Sequence, residues 1–173
     1  NKKNTIFYHI HNPDTIAKIS FKYFDKSCKW LMMVRNPVDS CESWIHTEYC
    51  KKNYKDIVMR ITTMLYDIDN DIFLNSDAVG CRLEDLKTFP RKVLPALCKW
   101  MKIKPTENLY QMTAQGKIWW GDTTCSNMEA FGKMSKKGIG HIFNNDDRLI
   151  LETLFYPFSV RFGYKKENKN LFK

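Results

Sequence analysis

The sequence predicts an α/β fold with a mainly parallel sheet. Residues 29–34 (KWLMMV) form a short apolar run without alternation, the pattern of a strand covered on both faces of a parallel sheet. A second β-rich run, AVGCRL at 78–83, is again followed by a polar, helix-starting segment. Between and after these runs, apolar residues recur at helical spacing. Strands alternating with helices are the signature of βαβ units.

In chain order, residues 5–10 are β-rich and predict a strand. Asn12-Pro13-Asp14 starts a helix whose Ile16, Ile19, Tyr23 and Phe24 share one face. After the apolar run comes Asn36-Pro37-Val38-Asp39, with Asn as cap, Pro at the first helical position and an acid three residues after the cap. That helix carries Ser43 and Trp44 and reaches about Cys50. KKNYK is a polar break, and residues 55–68 place Val58, Ile61, Met64, Leu65 and Ile68 at helical spacing. A helix from Pro90 to Met101 turns Val93, Leu94, Leu97 and Met101 inward. Pro95 within it predicts a kink or a later start, because proline lacks the donor for an interior bond. Residues 104–144 read as a loop-rich region. Asp146 to Phe162 reads as a last helix, bent at Pro157 and closed by Gly163, and residues 164–173 as a frayed tail. No internal repeat is present, and residues 1–173 read as a single domain.

Composition narrows the function classes. Of 173 residues, 43% are hydrophobic and 14% aromatic, enough for a core. A net charge of +9 favours an anionic partner: a nucleotide, an acidic polysaccharide, nucleic acid or a membrane surface. Nucleic acid ranks low, since no RNP-like, helix-turn-helix or zinc pattern occurs. The six cysteines make neither a CxxC nor a zinc knuckle, so reduced structural thiols in a cytoplasmic setting are expected, with no metal. No run approaches the length of a bilayer span, and no signal-peptide pattern opens the chain. The GxxxxGK[ST] loop of kinases is missing.

Chemistry concentrates after the first apolar run. Arg35 stands where a parallel strand would emerge from its sheet, and ligands of open α/β sheets bind at that edge. A guanidinium offers five donors in a fork suited to phosphate, and Ser43 could add a hydroxyl to the same oxygens. On the residues alone, Arg35 could equally pair with Asp39 or Glu42.

An apolar strand followed by R-N-P-x-D-x-x-x-S resembles the 3′-phosphate-binding segment of sulfotransferases that use 3′-phosphoadenosine 5′-phosphosulfate. The resemblance implies that Arg35 and Ser43 hold the 3′-phosphate. VGCRLEDLKTFPRKVLPALCKWMKI is similar to that family's strand, Glu-Asp-Leu and helix, where a tyrosine commonly precedes Glu-Asp against the adenine. Leu83 stands there in this chain. MSKKGIGHIFNNDDRLILETLFYPFSVRFGY is similar to the family's closing stretch, so Lys136, Lys137 and Gly138 would complete the cradle, with Phe143 in place of the usual tryptophan. The resemblance implies a P-loop-NTPase-like three-layer α/β/α architecture, incomplete at its N-terminal side. No Gly-x-x-Gly-[ST] or Lys-Ser-Gly-Thr turn for the 5′-phosphosulfate occurs in this chain. The chain alone is therefore expected to lack half the donor site.

The same resemblance implies a histidine base. FYHIHNP offers His11 at the strand's end, with His9 as the alternative; His46 and His141 look less central. Trp119 and Trp120 could form a stacking platform for the acceptor, and could as readily plug the core. Lys99, Lys102, Lys104, Lys117 and Lys133 could meet an anionic glycan and could equally form a solvated face. The expected function is sulfuryl transfer from 3′-phosphoadenosine 5′-phosphosulfate to a hydroxyl on a carbohydrate or small metabolite, leaving adenosine 3′,5′-bisphosphate. The alternative is an inactive nucleotide- or polyanion-binding relative.

Overall fold

A computed structural model of the chain describes residues 7, 28–50, 55–56, 58–59, 61–62, 77–111, 113–114, 117–118, 131–134 and 139–169. They form a mixed α/β arrangement around a two-stranded parallel sheet. Strand β1 (Trp30–Val34) leads into helix α1 (Pro37–Cys50), and strand β2 (Ala78–Arg82) into helices α2 (Leu83–Thr88) and α3 (Pro90–Met101). A 3-10 turn at Glu107–Tyr110 and the short antiparallel pair β3 (Thr113–Ala114) and β4 (Lys117–Ile118) follow, then helices α4 (Asn145–Leu154) and α5 (Tyr156–Arg161). Apart from Phe7, which is exposed and without regular structure, the strand expected over 5–10 and the helix after it lie outside the described residues. Residues 55–56, 58–59 and 61–62 are helical, as their spacing predicts.

β1 and β2 run parallel with Trp30 opposite Ala78 and Val34 opposite Arg82. The continuous apolar run predicts a strand covered on both faces; instead Leu31 and Met33 are 40% and 49% exposed. Both faces of β1 are apolar in sequence, so only tertiary packing tells them apart. The face of Trp30, Met32 and Val34 is the better covered. A Cβ on Gly80, the partner of Met32, would come within 2.2 and 2.5 Å of Phe162 ring carbons, so the ring lies directly against the sheet there.

The core joins α1 to α4. Val38, Cys41 and Ile45 recur at i, i+3 and i+7 on α1 and pack with Leu151 and Phe155, flanked by Ile61, Ile142 and Phe143. Each such buried side chain contributes roughly 1.5–3 kcal/mol of transfer free energy. At the sheet's amino edge, Asp77 accepts from the Trp100 indole at 2.9 Å and pairs with Lys29, whose ammonium lies 4.9 Å over the Trp100 ring. Cys41, Cys81 and Cys98 are buried thiols outside any disulfide. Burial, then the neighbouring Glu42 charge, pushes the Cys41 thiol up to about 11.

Two helical expectations are corrected. The last helix does not bend at Pro157 but breaks: α4 ends at Leu154, Phe155 is a turn, and α5 begins at Tyr156 with Pro157 in its first turn. Proline has no N–H for the preceding turn and its ring crowds that turn's carbonyl, so a fresh start is the unstrained solution. Asn144 caps α4, accepting from the Asp147 N–H at 2.8 Å while Asp147 accepts from the Asn144 N–H at 3.1 Å. α3 begins at Pro90 and continues through Pro95, so the later start does not occur. Tyr164 and Lys165, assigned by the sequence to the frayed tail, donate their N–H groups to the Ser159 carbonyl at 2.7 and 3.0 Å.

Among the described residues, no helix is long and apolar enough to cross a membrane.

Candidate functional site

The parallel register ends with Val34 beside Arg82, so the next residues, Arg35 and Leu83, leave the sheet side by side at its carboxyl edge. Both are half-buried. Asn36 then caps α1: its side-chain oxygen accepts from the Val38 and Asp39 N–H groups, both at 3.1 Å, and its carbonyl from Ser40 at 2.8 Å. Pro37 has no N–H to offer. The first donors of α1 are thus spent on the cap, and the capacity to hold an anion falls to the Arg35 guanidinium.

Four carboxylates lie near Arg35 in the chain or across the sheet, and each is engaged elsewhere. Glu42 is fully buried, and its Oε1 accepts the N–H groups of His141, Ile142 and Phe143 at 2.9, 2.9 and 3.1 Å. Its Oε2 is paired with Arg148, which also reaches Asp39 at 3.5 Å. Burial by itself raises the Glu42 carboxyl, but the amides of the 140–143 turn and Arg148 outweigh it and bring the pKa down to about 2. Asp85 pairs with Arg82 at 2.6 Å. Glu84 accepts the Asn36 N–H at 2.8 Å on one oxygen and the Tyr164 hydroxyl at 2.7 Å on the other. Among the described residues, none donates to, accepts from or pairs with the Arg35 side chain.

Three stretches distant in sequence therefore meet at one sheet edge. The loop after β1 brings Arg35 and Asn36, and the end of β2 brings Arg82, Leu83 and Glu84. Gly163-Tyr164 closes the site from the C-terminal side: Arg82 donates to the Gly163 carbonyl at 2.9 Å and lies 5.5 Å from the Tyr164 ring centre. Gly163 has φ of 72°, a conformation that suits glycine and lets the chain turn back to the sheet. Burial, then the Glu84 hydrogen bond and charge, raises the Tyr164 hydroxyl far above its ordinary value, so it stays a donor.

Of the residues singled out by sequence, the structure brings Arg35 and Leu83 together. Ser43 is half-buried on α1, about 9 Å along the helix axis from Pro37, and no hydrogen bond links it to Arg35. Phe143 packs against the core, with its N–H on Glu42. His9, His11, Trp119, Trp120, Lys136, Lys137 and Gly138 lie outside the described residues. Sequence reasoning missed the roles of Glu42, Glu84, Arg148 and Tyr164. Glu42 left one legible trace: it sits within the apolar stripe of Val38, Cys41 and Ile45, where an acid must find donors if it is to be buried. Glu84, Arg148 and Tyr164 left none, since their partners are 48, 106 and 80 residues away. Among the described residues, no group of three His, Cys, Asp or Glu side chains could hold a metal ion. No family model, curated protein or solved structure matches this chain.

Proposed function

We propose that the chain belongs to a sulfotransferase, with a P-loop-NTPase-like three-layer α/β/α architecture, that uses 3′-phosphoadenosine 5′-phosphosulfate. The observation that carries this reading is Arg35: half-buried at the carboxyl edge of a parallel strand pair, with the neighbouring acids committed to other donors. Such an arginine is poised for an external anion rather than an internal ion pair. In this reading Arg35 grips the 3′-phosphate and Ser43 adds its hydroxyl. Leu83 packs on the adenine, and Lys136, Lys137 and Gly138, just before the turn anchored on Glu42, complete the cradle.

His11, or His9 in its stead, takes the proton of the acceptor hydroxyl. As that oxygen bonds to sulfur, the bond from sulfur to the 5′-phosphate oxygen breaks, and adenosine 3′,5′-bisphosphate leaves. Trp119 and Trp120 are the acceptor's stacking candidates, and the acceptor is a hydroxyl on a carbohydrate, anionic glycans included, or on a small metabolite. The absence of a Gly-x-x-Gly-[ST] turn in the sequence favours a second reading, a nucleotide- or polyanion-binding relative without catalysis.

Calorimetric titration of adenosine 3′,5′-bisphosphate, with 5′-AMP as control, tests the donor site. Binding should require the 3′-phosphate, and Arg35→Ala should weaken it about 30-fold, the loss of a charge-assisted pair of roughly 2 kcal/mol. Equal binding of both nucleotides, or an unchanged Arg35→Ala protein, refutes the donor site. Binding of the bisphosphate without sulfuryl transfer to any hydroxyl acceptor would favour the second reading.

A further inference from the structure

We propose that Tyr164 is a positioning residue of the anion site, acting by occupying Glu84 and so keeping Arg35 available; this rests on the donor-site reading above. Glu84 is the carboxylate placed to compete for Arg35. Its Oε1 is 2.8 Å from the amide of Asn36, the residue bonded directly to Arg35. Its backbone follows Leu83, the residue that leaves the sheet beside Arg35. An arginine side chain could readily turn back onto an oxygen so placed, giving a fork-to-carboxylate pair instead of a phosphate contact.

Two hydrogen bonds oppose that outcome. The Asn36 N–H takes Oε1, and the Tyr164 hydroxyl takes Oε2 at 2.7 Å. Tyr164 is itself held in place. Its N–H donates to the Ser159 carbonyl at 2.7 Å, its ring lies 5.5 Å from the Arg82 guanidinium, and Arg82 donates to the Gly163 carbonyl at 2.9 Å. Arg82 also holds Asp85, the other acid of the β2–α2 corner. Across the site, Arg148 does the same for Asp39 and Glu42. The arrangement gives Asp39, Glu42, Glu84 and Asp85 donors other than Arg35, and the C-terminal Gly163-Tyr164 segment supplies one of those for Glu84.

The test is the bisphosphate titration on Tyr164→Phe, Glu84→Gln and the double variant, with thermal unfolding beside each. Tyr164→Phe frees Oε2 for Arg35 and should weaken binding about fivefold, the worth of a partly exposed ion pair. Glu84→Gln can still accept from Asn36 but no longer attracts a cation, and it should bind at least as well as the parent protein. Adding it to Tyr164→Phe should restore affinity even where the melting temperature stays low. A purely structural Tyr164–Glu84 bond predicts the opposite, a double variant no better than the single one, and that result overturns the proposal. So does an unchanged Tyr164→Phe protein. If Tyr164→Phe does not fold, weaker binding by Glu84→Gln alone is decisive against it. A parent protein that fails to discriminate the 3′-phosphate refutes the underlying donor site instead, and the proposal falls with it.

Discussion

At the scale of the residue, side chains here are defined by which partners they already have. Glu42 is an acid in a core, tolerable because three amides and a guanidinium replace the water it gave up. Arg35 is the converse, a cation for which the neighbouring acids have been spoken for. Lys102 shows a smaller conflict. It adopts φ of 58° at the end of α3, where its N–H and that of Ile103 close the helix on the Lys99 and Cys98 carbonyls at 3.2 and 3.0 Å. That left-handed closing position suits glycine, and a Cβ there is strained. Lys102→Gly should therefore stabilise the protein by about 1 kcal/mol in urea unfolding. Equal or lower stability would show that the lysine side chain offsets its own strain.

At the scale of the element, proline placement and sheet contact decide where helices begin and how they sit. Pro90 and Pro157 both stand in first turns, where their missing N–H is harmless, and the second of them divides what sequence periodicity reads as one helix. The sheet accepts α5's end through Gly80. A methyl there would lie 2.2 Å from the Phe162 ring, a distance no Cβ contact tolerates. Because Phe162 immediately precedes Gly163-Tyr164, displacing the ring disturbs the closure of the site as well as the packing. Gly80→Ala should cost about 1–3 kcal/mol as overpacking and lower bisphosphate affinity along with stability. Unchanged thermal unfolding would mean that the ring shifts freely. Helix positions were largely legible in sequence, since caps and apolar spacing are local. The break at Phe155 was not, because a proline near a helix end permits either a bend or a restart and only packing chooses.

At the scale of the whole molecule, the contacts of one buried acid join distant elements and set a pH dependence of stability. Glu42 joins α1 to the turn at 141–143 and to α4, so it ties together elements a hundred residues apart. Its folded-state pKa of about 2 lies below the ordinary 4.5. A depressed carboxyl pKa adds stability that is fully present above about pH 4.5 and is lost as pH falls towards about 2. The contribution is at most about 3–4 kcal/mol, from roughly 1.4 kcal/mol per pKa unit. Chemical unfolding of the parent protein should weaken steeply across that window, whereas Glu42→Gln should start less stable and lose less. Parallel pH profiles for the two proteins would contradict this role for Glu42.

Sequence by itself determined the local features. The apolar strand ending at Arg35, the Asn36-Pro37 cap, the second strand leading into Leu83-Glu84-Asp85, and the glycine closing the last helix all depend on interactions among near neighbours. Tertiary structure alone decided which acid pairs with which base. The sequence leaves Arg35 free to pair with Asp39 or Glu42; folding brings Arg148 to both, and brings Tyr164 to Glu84. It also decided that one apolar face of β1 stays exposed. The physical reason is range: caps, turns and periodicity are written within a few residues, whereas ion pairing and face coverage depend on side chains that meet only once the chain has folded.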